Sequence, residues 1–180
     1  MVLRTIDAYL TRKHPRERAR VIDGLSEEHA RDFRFGTLQA IVYYDLESIT
    51  AYLELAENCL KGSDPAFCRA AGAAAIEGEL GAAMRTALRP GKPLDVLRRL
   101  VPVMSRLFDF GRWEVTATAD SVVTLRIADF EPVSLALRQF LLGVLDAALK
   151  VCGRPQITVV RGDVGFAPQL VLDVSSARAP

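Results

Sequence analysis

Histidine, cysteine and tryptophan are scarce in this chain: two, three and one among 180 residues. Both histidines, His14 and His29, fall in the charged N-terminal stretch, with no second histidine or cysteine at ligand spacing. A transition-metal site needs three or four such groups converging, so no metal is expected. The cysteines, Cys59, Cys68 and Cys152, are odd in number and form no tight pair. That argues against a disulfide framework and against a zinc site. Apolar neighbours make buried, reduced thiols the plain reading, since a free cysteine packs as a small hydrophobe. A reactive or acylated thiol is the alternative.

Other signatures are missing too. No phosphate-binding glycine loop, no Gly-x-Gly-x-x-Gly and no Gly-x-Ser-x-Gly elbow occurs. No apolar run reaches membrane-spanning length, and Asp7 stands where a signal peptide would have its apolar stretch, so a cytoplasmic location is expected. A formal net charge of +1 gives no overall pull toward nucleic acid or an acidic membrane. Acids next to turns, such as Asp109, Asp129, Glu131 and Asp163, read as caps and solvated turn residues. Glu77 and Glu79 could serve an enzyme only if one of them faced a closed pocket, where burial would raise its pKa. With no assembled acid, base or nucleophile, no catalytic residue is assigned and the chain is not read as an enzyme.

What is present is a chain half hydrophobic and a quarter charged, long enough to bury a core unaided. Residues 1–35 read as an N-terminal helical extension in which Ile6, Leu10, Val21, Ile22 and Leu25 form apolar faces. Pro15 disfavours helix at His14, and Ser26 with Glu27 and Glu28 marks a helix start. Arg12, Lys13, Arg16 and Arg20 belong to a basic cluster that reads as a solvated face or a patch for a protein partner. Glu17 and Asp23 dilute it and no aromatic interleaves to stack a base, so nucleic acid is not expected.

Residues 36–175 read as one α+β domain, with 176–180 a frayed tail. Ile49, Tyr52, Leu53, Ala56 and Leu60 recur at helical spacing, with Asp45 or Ser48 as cap. Gly62 suits a left-handed position after that helix, Asp64 a cap and Pro65 a first turn. Residues 65–90 read as a small-residue helix in which Gly72, Gly78 and Gly81 mark very close packing or the wall of a cavity. Residues 93–108 form an amphipathic helix that Pro102 should kink or restart. The period then changes to two, giving a hairpin from Trp113 to Ile127. A long buried helix follows over 132–152, opened by Pro132, closed by Gly153 and carrying Phe140 and Gly143. Asp146 and Lys150 are spaced as an i,i+4 pair on it. Residues 156–160 and 170–174 add two strands.

Several stretches resemble a known superfamily. They are Tyr43-Tyr44-Asp45, Gly62-Ser63-Asp64-Pro65, Ala71-Gly72 with Gly78 and Gly81, Phe108 through Val115, Leu142-Gly143-Val144-Leu145, and Val151-Cys152-Gly153. The superfamily joins 4-vinyl-reductase domains, TRAPP vesicle-tethering subunits of the Bet type and haem-nitric-oxide-binding domains. The similarity is closest to a myxobacterial-type bacterial branch. It implies N-terminal helices packed on a small antiparallel sheet, a non-enzymatic regulatory or scaffold module, homodimerisation, and a cavity for a small apolar ligand. An adaptor docking a signalling or GTPase partner through residues 1–35 is the alternative. Haem binding there needs a helical histidine and a Tyr-x-Ser-x-Arg motif, and the cysteine cluster of many 4-vinyl-reductase domains is reduced here to Cys152. No cofactor is therefore expected.

Overall fold

A computed structural model describes residues 2–35, 45–78, 81, 84, 89–108, 110–119, 122–128, 134–150, 155–160 and 169–176, the last two segments by backbone alone. The described residues form seven helices and four strands. The chain divides into two compact units, one of Met1–Ala82 with Ser134–Ala147, the other of Ala83–Val133 with Ala148–Pro180.

The first unit is helical. Helix α1 (Val2–Lys13) buries Val2, Leu3, Ile6 and Leu10 on one face. It stops where Pro15 follows His14, and Pro15 opens α2 (Pro15–Gly24), its missing N–H costing nothing in a first turn. Helix α3 (Glu27–Arg34) starts at Ser26, whose hydroxyl accepts from the His29 amide at 3.3 Å. Helix α4 (Leu46–Leu60) starts at Asp45, whose carboxylate accepts from the Ser48 amide at 2.6 Å. That bond holds the Asp45 carboxyl below its usual range, because a backbone donor favours the charged form. Helix α5 is Phe67–Glu77. Helix α1 packs on α5, and α2 packs on α4.

A buried carboxylate fastens three of these helices. Asp7 of α1 is 8% exposed and accepts from Arg18 of α2 through Nε at 2.8 Å and Nη2 at 2.9 Å. It also accepts from the Tyr52 hydroxyl of α4 at 2.6 Å. The Tyr52 ring stacks on Phe33 of α3 at 4.7 Å between centroids. Burial, then the negative charge of Asp7, push the Tyr52 phenol far above its ordinary value, so it remains a donor.

In the second unit, α6 (Pro93–Leu107) buries Val96, Leu97, Leu100 and Met104 and packs against β1, β2 and β4 of one sheet. The strands are β1 (Arg112–Ala119), β2 (Val122–Ala128), β3 (Pro155–Val160) and β4 (Gln169–Ser176). Their order is β1-β2-β4-β3, every pair antiparallel. Trp113 lies opposite Ile127, and Val115 opposite Leu125. Trp113, Leu125 and Ile127 are buried, as alternation at period two predicts for a sheet with one covered face. Between β2 and β3 runs α7 (Leu135–Leu149), which through Ala147 belongs to the helical unit. The fold class is thus α+β with an antiparallel sheet, as the sequence led one to expect.

Several local expectations need correction. Gly62 does not adopt a left-handed conformation; among the described residues Gly111, with φ 68°, is the glycine that does. The chain leaves α4 instead through Lys61 in right-handed geometry, with the Ser63 and Asp64 amides both donating to the Leu60 carbonyl. Asp64 caps nothing with its side chain, since the residue before α5 is Ala66. Pro102 does not divide α6: it is exposed, so the carbonyl it leaves without a helical donor can meet water. The small-residue helix is described as continuous only to Glu77, and Ser134 accepts from the Leu137 amide at the start of α7. Pro132, Gly153, Tyr43 and Tyr44 lie outside the described residues.

Two outcomes test this packing. Asp7→Ala leaves a buried phenol and a half-exposed guanidinium without their acceptor and should cost roughly 2 kcal/mol of unfolding free energy by helical circular dichroism in denaturant. Tyr52→Phe should cost only about 1 kcal/mol. The folded Tyr52 holds its proton above the unfolded value of 10.0, so its contribution is complete below that pH and is lost as pH rises beyond it. Tyr52→Phe should therefore flatten the alkaline loss of stability.

Candidate functional site

The glycines expected to mark close packing occupy different places. A Cβ on Gly72 would strike the Phe140 carbonyl, and a Cβ on Gly143 would strike the Arg69 carbonyl. Helices α5 and α7 therefore cross with their backbones in contact, each supplying the glycine that the other needs. Phe140 is fully buried. Arg69 and Asp146 join the same two helices through a 2.7 Å hydrogen bond. Gly81 stands against the Ile76 carbonyl. Gly78 is different: a Cβ there would make only ordinary contacts, at 3.5 Å from the Ala74 carbonyl.

Gly78 instead lines a groove between α5 and α1. Its volume is about 350 Å³, and Arg4, Thr5, Ala8, Tyr9, Arg12, Ala74 and Gly78 line it. Arg4, Ala8 and Arg12 follow at four-residue spacing and so share one stripe of α1. The short side chains of Ala8, Ala74 and Gly78 hollow out its middle. The Arg12 guanidinium lies 5.6 Å from the centroid of the Tyr9 ring, a cation–π contact. Burial, then the Asp64 carboxylate, push the Tyr9 phenol up; Arg12 opposes this and Glu77 adds to it. The phenol is therefore a hydrogen-bond donor at neutral pH. Sequence reasoning missed this groove, because no local pattern shows that α1 lies beside α5.

Of the basic cluster, Arg12 reaches the groove, whereas Lys13, Arg16 and Arg20 are exposed. Arg18 is committed to Asp7. Glu77 is exposed, contrary to what a closed carboxylate pocket requires, and Glu79 lies outside the described residues. His14 Nε2 lies 3.0 Å from Asp64 Oδ2, with the imidazole edge-on to Phe67. His29 is half-buried, and its charge helps lower the Asp45 carboxyl. Cys68 is buried; its thiol donates to the Leu53 carbonyl at 3.7 Å, and burial pushes it up to about 12. Cys59 is half-buried and Cys152 lies outside the described residues. Among the described residues no three His, Cys, Asp or Glu side chains gather as a metal site, and no helix is long and apolar enough to cross a membrane.

The fold is that of H-NOX domains, the haem nitric-oxide and oxygen-binding class, to judge from solved structures similar along nearly the whole chain. An H-NOX mutant from K. algicida, in the Fe(II) unliganded state, matches with a TM-score of 0.67 and 13% identity, over 97% of this chain and 95% of that one. An H-NOX from Shewanella woodyi in the Fe(II)CO state matches with 0.63 and 13%, over 98% and 93%. An oxygen-binding H-NOX domain related to soluble guanylate cyclases matches with 0.62 and 12%, over 95% and 90%. No protein-family model matches the chain. No curated protein is significantly similar to it. These findings overturn the assignment drawn from the sequence stretches: the similar solved structures are H-NOX domains, and nothing supports the 4-vinyl-reductase or TRAPP groups or the myxobacterial-type bacterial branch. Those stretches are short, and turn residues and small residues in such patterns recur in many folds.

The haem that those neighbours' descriptions name does not fit the residues described here. Haem iron is held by an axial histidine, thiolate, tyrosine or methionine side chain. No histidine follows His29 anywhere in the chain. Both histidines stand beside carboxylates, the Cys68 thiol keeps its proton and bonds a carbonyl, and the Tyr52 hydroxyl is spent on Asp7.

Three substitutions and one labelling experiment check these placements. Gly72→Ala and Gly143→Ala should each cost roughly 2–3 kcal/mol by chemical denaturation, because a methyl meets backbone that cannot give way. Gly62→Ala, with nothing within 4 Å of the new methyl, should be neutral or stabilise by about 0.5 kcal/mol. In the folded protein a thiol reagent read by peptide mass spectrometry should modify Cys59 well before Cys68, which reacts only on unfolding.

Proposed function

We propose that this chain is a non-enzymatic regulatory module that uses the H-NOX fold without haem. The observation that carries the reading is the fate of its histidines. His14 is paired with Asp64 and His29 stands beside Asp45, and the rest of the chain offers no other imidazole. Regulation without an iron centre has to run through contacts of the protein surface or through a ligand held by side chains. The described residues suit that role, since the α5–α7 crossing is closed by backbone contact and the groove on α1 is open to solvent.

Adding haemin to the purified full chain tests the reading. The expected spectrum is that of free haemin, with no saturable shift of the Soret band. A stoichiometric shifted band, with iron retained through gel filtration, would overturn it. The same band surviving in a His14→Ala, His29→Ala double variant would locate the ligand elsewhere and overturn it as well.

A further inference from the structure

We propose that the outward face of α6 docks an acidic helix of a protein partner. The inference deepens the regulatory reading and rests on it for its biological sense, though not for its geometry. Helix α6 buries Val96, Leu97, Leu100 and Met104, the side that packs against the sheet. With about 3.6 residues per turn, the opposite side carries Asp95, Arg98, Pro102 and Arg106, and all four are exposed. Lys92, which directly precedes the helix, is exposed as well. Lys92, Arg98 and Arg106 have no ion-pair partner among the described residues. Arg99 does not count with them: it is half-buried, and its Nη2 donates to the Arg89 carbonyl at 2.7 Å.

Charge and pattern together choose the occupant. Lys92, Arg98 and Arg106 against Asp95 leave a formal +2 on this one face, in a chain whose total is +1. Exposed cations of this kind attract an anionic surface and speed its docking. Asp95 in their midst works against a uniform polyanion, since a phosphate backbone or a layer of lipid headgroups would set negative charge against it too. Helix α6 also has no aromatic side chain on which a base could stack. A protein helix can match the pattern residue by residue. Arg98 and Arg106 stand about 12 Å apart along the axis, the spacing of carboxylates two turns apart on a facing helix. Pro102 lies midway between them and presents an apolar ring, with Val101 and Val103 half-buried on either side. Its missing N–H also leaves the Arg98 carbonyl open to a donor from the partner.

The test is a titration of the full chain, followed by amide chemical shifts. The probes are an alanine-based helical peptide with two glutamates two turns apart and a leucine midway, the same peptide with lysines for the glutamates, a DNA duplex, and phosphatidylserine vesicles. The glutamate peptide should shift amides within 92–106 saturably, and the lysine peptide should not. Arg98→Glu combined with Arg106→Glu should weaken the glutamate peptide by about tenfold or more and bind the lysine peptide instead. Both positions are exposed, so the helical signal should be unchanged. Lys13→Glu combined with Arg16→Glu makes the same change of charge on α1 and α2 and should leave the affinity as it was. No saturable shift with the glutamate peptide, undiminished affinity in the Arg98 and Arg106 variant, an equal loss in the Lys13 and Arg16 variant, or tighter binding of the duplex or the vesicles would overturn the proposal. Haemin uptake would overturn the haem-free reading while leaving this titration as predicted, so the two failures are distinguishable.

Discussion

The close crossing of α5 and α7, at Gly72 against the Phe140 carbonyl and Gly143 against the Arg69 carbonyl, is the constraint around which the helical unit is arranged. A side chain at either position would meet a carbonyl of the opposite helix, so α5 and α7 approach as closely as backbones can. Close approach of this kind gains dispersion and places Cα–H groups against carbonyl oxygens. It also brings a segment far along the chain into the unit formed by the first five helices. Phe140, one turn from Gly143, is thereby fully buried. Glycines in helix interiors cost about 1 kcal/mol each relative to alanine, and the packing they permit must offset that.

Asp7 would be costly to bury alone, and it is satisfied by two nitrogens of Arg18, Nε and Nη2, and by Tyr52. The three donors come from two helices, so the carboxylate fixes the placing of α1, α2 and α4 together. His14 and Asp64 do the same where α1 meets the turn before α5. His14 and Tyr52, two side chains of types that can serve iron, are thus employed in holding helices. Fold similarity by itself carries no function.

Much of the architecture was legible in the sequence where the signal is local. Ser26 and Asp45 cap the helices they precede, Pro15 separates α1 from α2, and the period of two from Trp113 to Ile127 marks the hairpin. What escaped was long-range. Asp64 reads as a cap beside Pro65, yet its partner is His14, fifty positions away. Gly62 follows a helix, yet two amides donating to Leu60 end α4 without a left-handed residue. The groove needs Arg4, Tyr9 and Arg12 next to Ala74 and Gly78, and that pairing of α1 with α5 has no signature in either segment. The stretches that suggested 4-vinyl-reductase or TRAPP relatives are too short to separate one fold from another, and solved structures turn the likeness toward H-NOX domains instead.

The central claim is that this fold is complete in this chain without a prosthetic group. Amide hydrogen exchange on haem-free protein, repeated after adding haemin, tests it most directly. Slow exchange in α1, α4, α5 and α7 that haemin leaves unchanged is the predicted result, because their protection comes from the Gly72–Gly143 crossing and the Asp7 network. Fast exchange of those helices without haem, slowed when haemin is added, would contradict it.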